Sequence, residues 1–96
     1  MSQIRMTPDT MRTRAGQTDK QAEAVQSVMT AMDNLLNSLK SEWEGEAVRG
    51  YEDRYNKIKP SFKNAKALLE EIAHNLRATA QIVEETDRNI ANQFRR

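Results

Sequence analysis

The stretch Ser41-Glu42-Trp43-Glu44-Gly45-Glu46 separates two long periodic runs and holds the chain's one Trp. Upstream of it, Met11, Ala15, Thr18, Ala22, Val25, Met29, Met32, Leu36, Leu39 and Trp43 alternate steps of four and three, apolar except for Thr18, which is the stripe of an amphipathic helix. Downstream, Val48, Tyr51, Tyr55, Ile58, Phe62, Ala65, Leu69, Ile72, Leu76, Thr79, Val83, Thr86 and Ile90 keep the same alternation. Gly45 is the one residue between them that takes a positive φ without steric cost, so it is expected to end the first helix in a left-handed cap. So short a connection folds the helices back on each other as an antiparallel hairpin, with Trp43 closing the stripe at the turn. The pattern predicts one all-α domain over residues 1–96: a helix over about 8–42, a turn over about 43–46 and a second helix over about 47–93.

Local signals agree with this division. Thr7 has the chemistry of an N-cap, Pro8 suits the first helical position, and Asp9 places a negative charge in the first turn. Pro60 falls two positions after Ile58 on the outward side, where it bends a helix rather than ending it. Gly16 and Gly50 each weaken their helix by roughly 1 kcal/mol relative to Ala. With the turn centred near Trp43 to Gly45 and a rise of about 1.5 Å per residue, Pro8 is expected to face roughly residue 81. The segment beyond that level then overhangs, with Ile4 and Met6 the nearest shield.

Ninety-six residues make one small domain. At that size folding removes only roughly 60 to 65% of the unfolded chain's surface from water, so a partner is expected to complete the core. Fifteen Lys and Arg against fourteen Asp and Glu leave a charge of +1, with no field to draw a nucleic acid. No Cys occurs, which excludes a disulfide framework, a thiolate zinc site and a thiol nucleophile. The N-terminal stretch Met1 to Thr10 has no apolar core of a signal peptide, and no run reaches the length of a membrane span.

Val28 and Leu35 on the first helix, with Leu68 and Ile82 on the second, form an apolar column beside the main stripes. A two-helix hairpin buries one face, so this column is expected to be a dimer interface. Two hairpins then pack as a four-helix bundle, and a homodimer is the simplest form of it.

Little in the chain suggests chemistry. His74 has no second His or Cys at ligand spacing and reads as a solvated side chain. Glu70 with Glu71, and Glu84 with Glu85, are adjacent in sequence and point apart on a helix, so neither makes an acid and base pair. Lys57, Lys59, Lys63 and Lys66 lack interleaved aromatics and read as a solvated face. Met29 and Met32 sit on the stripe as packing residues. No cofactor is expected.

A chain of this length, built of two helices with Trp-X-Gly at the turn, resembles the WXG family of early-secreted-antigen-like proteins, small substrates of bacterial type VII secretion. The motif here is Trp43, Glu44 and Gly45. The family's second element near the C-terminus, Tyr-X-X-X-Asp/Glu, has a looser form with a hydrophobic residue in place of Tyr. Here Val83 and Asp87 match it, followed by Ile90 and Phe94. The segment Ile58 to Phe62, Ile-Lys-Pro-Ser-Phe, is similar to the homodimeric Gram-positive branch. The resemblance implies a non-enzymatic chain, made in the cytoplasm and secreted without a cleaved signal peptide. It implies three partners: a second copy, a membrane-bound secretion ATPase and a co-secreted helical effector. Trp43, Glu44 and Gly45 with Val83, Asp87, Ile90 and Phe94 are then the expected export signal, Trp43 of one copy standing near Asp87 of the other. The alternative is a cytoplasmic adaptor or chaperone pairing with the helical N-terminal domain of a larger effector.

Overall fold

A computed structural model describes residues 6–43 and 45–94. Helix α1 spans Pro8–Glu42 and helix α2 spans Glu46–Phe94; no strand occurs among the described residues. The chain divides into two compact units, Gln21–Leu68, which contains the turn, and Met1–Lys20 with Leu69–Arg96.

The N-terminus of α1 is capped as its sequence predicts. Thr7 Oγ1 accepts the Thr10 N–H at 3.1 Å, and the Thr7 carbonyl accepts the Met11 N–H at 2.9 Å, which satisfies two of the donors a helix start leaves open. Further along, the hydroxyls of Thr13 and Thr18 donate to the carbonyls of Asp9 and Arg14 one turn back, so neither threonine needs a partner elsewhere. Pro60 lies inside α2 on an exposed face, and the helix continues through it.

In the 21–68 unit the two helices run antiparallel. Lys40 pairs with Glu52, Lys59 holds both carboxylate oxygens of Asp33 at 3.0 Å, and Lys66 donates to Gln26 Oε1 at 3.0 Å. Each step of seven back along α1 thus meets a step of seven forward along α2. The core here is Ala22, Met29 and Leu36 against Val48 and Tyr55. Tyr55 keeps its ring buried because its hydroxyl donates to the Met29 carbonyl at 3.0 Å, leaving no unpaired polar atom inside. Burial, together with the Asp33 carboxylate, holds the Tyr55 phenol above its ordinary pKa. The neutral form is therefore favoured by folding, and that preference is lost as pH rises through the raised value.

In the other unit the buried residues are Met11 and Ala15 with Ala73 and Ala80. Asp19 pairs with Arg77 and Arg12 with Glu84. The hydrogen bond from Arg12, more than its charge alone, holds the Glu84 carboxyl below the usual range. Glu84 thus favours the folded unit at neutral pH, and that contribution is lost as pH falls through its lowered pKa.

Two expectations are corrected. The α2 stripe is not one surface. Val48 and Tyr55 are buried, and Phe62, Leu69, Leu76 and Val83 half-buried, but Tyr51, Ile58, Ala65, Ile72, Thr86 and Ile90 are exposed. Ala73 and Ala80, on the opposite side of the shared column, are buried instead. Steps of three and four both lead to neighbouring columns, and the methyl side chains of the alanines allow the backbones to approach where larger residues cannot. The overhang also starts later than residue 81. Arg12 reaches Glu84, and Val83 is half-buried, so both belong to the packed unit.

Ala80 is 0% exposed, so Ala80→Leu adds three carbons where no space exists. The expected cost is about 1–3 kcal/mol of unfolding free energy, measured by urea titration followed by circular dichroism, with wild-type stability as the contrary result.

Candidate functional site

The turn is the first candidate. The Trp43 N–H still bonds the Leu39 carbonyl at 2.8 Å, so the backbone of α1 carries the indole to its very end. The ring is 45% exposed, which corrects the expectation of a buried hairpin-closing residue. It packs against Tyr51, with centroids 6.3 Å apart and planes tilted by 48°. Gly45 has φ +139°, and a Cβ built on it would meet no atom within 4 Å. The constraint is therefore in the backbone alone. Gly45 directly precedes the first residue of α2, so it opens the second helix rather than capping α1 in a left-handed turn. Glu44 lies outside the described residues.

Gly45→Val is expected to destabilise the protein by about 1–3 kcal/mol, since a β-branched residue at that φ is strained whatever the room around it. Thermal melting of variant and wild type measures this, and an unchanged midpoint is the result that contradicts it.

The second candidate is an uncovered apolar flank. In the 21–68 unit it comprises Val28, Leu35, Tyr51, Ile58 and Leu68; in the other unit Ile72 and Ile82 are likewise exposed. All four residues expected at an interface, Val28, Leu35, Leu68 and Ile82, are solvent-facing in the single chain. Tyr51, Ile58 and Ile72 join them, although periodicity alone assigns these three to the contact between α1 and α2. A signal for the distinction is present in the chain: on α1 the residues Arg12, Asp19, Gln26, Asp33 and Lys40 recur every seven positions and are all polar. All five bond α2, so within each unit the polar flank of α1 is engaged with the other helix and the apolar residues are left uncovered.

The third candidate is the end of α2. Asp87, Ile90 and Phe94 are exposed, Phe94 by 85%, whereas Val83 is shared with the packed unit. The run of lysines dissolves as a patch, because Lys59 and Lys66 are engaged with Asp33 and Gln26. Lys59 also lies 5.7 Å from the centre of the Tyr55 ring. Among the described residues no group of three or more His, Cys, Asp or Glu is placed to hold a metal ion, and no helix is long and apolar enough to cross a membrane.

Two helices joined at Trp43 and Gly45, with an apolar flank left open, agree with the profile described as "Proteins of 100 residues with WXG", which matches residues 3–88. The chain belongs to the WXG100 family. It is 36% identical to protein YukE of Bacillus subtilis over 92 residues, covering 96% of this chain and 95% of that one. Identity to the type VII secretion system extracellular protein A of Staphylococcus aureus is 26% over 94 residues, covering 98% and 97%. Among solved structures, EsxA of Geobacillus thermodenitrificans superposes with a TM-score of 0.88 at 31% identity, over 95% of this chain and 98% of that one. The secreted protein EsxB of Bacillus anthracis superposes at 0.80 with 25% identity, over 91% and 99%. This WXG100 chain thus shares both sequence and hairpin fold with proteins named as secreted.

Proposed function

We propose that this WXG100 protein is a substrate of a type VII secretion system, exported as a folded pair of identical chains and performing no catalysis itself. Relatedness along nearly the whole chain to an extracellular protein of such a system carries the reading. The pair is supported by exposed area. The chain presents 7822 Å² to solvent, where about 5600 Å² is ordinary for a folded chain of 11.0 kDa. The excess, about 2200 Å² for one chain, exceeds the roughly 800 Å² per partner of a standard interface and is at the scale of a large obligate homodimer. Its apolar part includes Val28, Leu35, Tyr51, Ile58 and Leu68 in the 21–68 unit, and Ile72 and Ile82 in the other.

The turn and the end of α2 are the parts offered to the export machinery. Trp43 presents half of an indole to solvent, and Asp87, Ile90 and Phe94 present one charge beside two apolar anchors, a form suited to a hydrophobic groove with a polar edge on a secretion ATPase. A co-secreted helical effector would use the apolar flank in place of the second copy.

Trp43→Leu tests the reading. Because the indole is half-exposed and packs on one ring, its loss is expected to leave helicity and mass unchanged while export falls at least about tenfold, scored as protein in culture supernatant without lysis. Export at the wild-type level reduces Trp43 to packing. Absence of the wild-type protein from the supernatant overturns the function itself.

A further inference from the structure

We propose that Tyr51 is a positioning residue for export: its ring fixes the orientation in which the Trp43 indole is offered to the secretion machinery. The inference rests on the export reading above and adds the residue that makes the turn a rigid signal.

Trp43 stands on the last turn of α1, where its N–H bonds the Leu39 carbonyl, so its backbone is fixed while its side chain is 45% exposed. The chain that follows gives that side chain little to lean on, because Gly45 has no side chain and a Cβ built there would meet no atom within 4 Å. An exposed indole on such a base hops between rotamers unless a neighbour holds it. Tyr51 is that neighbour. The reversal at Gly45 returns it beside Trp43 within the 21–68 unit, ring centroids 6.3 Å apart and planes tilted by 48°. A tilted pair at that distance turns the positive edge of one ring toward the negative face of the other, so its attraction depends on orientation, which contact with an alkyl chain does not. Trp43 also lines the cleft beside the turn with Gly45, Val48 and Arg49, and Tyr51 is not among the walls of that cleft. Tyr51 therefore takes the indole from another side and leaves its cleft side open to a partner. A recognition side chain already held in one orientation spares its partner the cost of ordering it.

The full-length variants Tyr51→Leu and Tyr51→Phe separate positioning from packing. Leucine keeps apolar bulk on the exposed flank and suits a helix but has no ring, whereas phenylalanine keeps the ring. In Tyr51→Leu the fast, sub-nanosecond part of the fluorescence anisotropy decay is expected to grow, read from the chain's one Trp. Export into the supernatant should fall at least about threefold, the factor that ordering one side chain represents. Helicity, and the mass found by light scattering, should stay those of the wild type, and Tyr51→Phe should match the wild type throughout. Wild-type export of Tyr51→Leu, with Trp43→Leu still retained in cells, overturns the positioning role and leaves Trp43 as the signal. Reduced export with an unchanged anisotropy decay overturns it too. So does an equal loss in Tyr51→Phe, which would point to the hydroxyl, or a changed mass in Tyr51→Leu, which would make Tyr51 an interface residue. Absence of wild-type export, or full export of Trp43→Leu, removes the reading on which the inference stands.

Discussion

Leu35→Lys is expected to convert the proposed dimer into monomers at micromolar concentration while leaving the helices intact. Leu35 is 53% exposed in the single chain, so a lysine there costs the isolated hairpin almost nothing. In the proposed pair the same position is desolvated, and a charge without a partner in an apolar interface is costly. A symmetric interface also counts every substitution twice. The dissociation constant should therefore rise by about 100-fold or more, equivalent to about 3 kcal/mol. Light scattering coupled to size exclusion reads the mass, and circular dichroism confirms the fold. Leu36→Lys is the control that separates interface from core: Leu36 is 6% exposed, and its replacement should unfold the hairpin rather than merely dissociate the dimer. Should Leu35→Lys keep the dimer mass, the flank of Val28, Leu35, Leu68 and Ile82 is not where copies meet.

Truncation after Glu85 is expected to abolish export with little loss of stability. The cut keeps Glu84 with its Arg12 pair and keeps half-buried Val83, so the packed unit loses none of its buried residues. It removes Asp87, Ile90 and Phe94, each exposed. A helix end of that kind contributes little to folding, and the melting temperature should fall by no more than about 5 °C, roughly the shift that 1 kcal/mol produces in a domain this size. Supernatant and cell fractions measure export. Full export of the truncated chain makes the end of α2 an ordinary fraying terminus and removes Asp87, Ile90 and Phe94 from any signal.

Much of this protein is legible in its sequence, because the deciding features are local. Thr7 and Pro8 place the start of α1 through hydrogen bonds made within one turn, and the alternation from Met11 to Leu39 needs only helical geometry to make a stripe. Gly45 and the brevity of the link compel the chain to reverse. Val28, Leu35, Leu68 and Ile82 are recognisable as surplus apolar surface for the same reason: a two-helix contact has one face, and these residues fall outside it.

Which columns face each other is not local. On α2 the columns containing Ile58 and Ala73 flank the same central residues, and a periodicity argument prefers the larger, more apolar one. Packing chose the alanines, since Ala73 and Ala80 admit a neighbouring backbone, and the ion pairs from Arg12 to Lys40 hold α1 on that side. Ile72 was thereby left on the outer face of that unit, and Tyr51 and Ile58 are likewise exposed in the 21–68 unit. The same register carried Glu84 and Val83 under the start of α1, and it left Trp43 half in solvent. A single sequence specifies how far each helix is apolar, but the rotation and register of two helices depend on side-chain volumes and charges from both at once, and only the tertiary structure combines them.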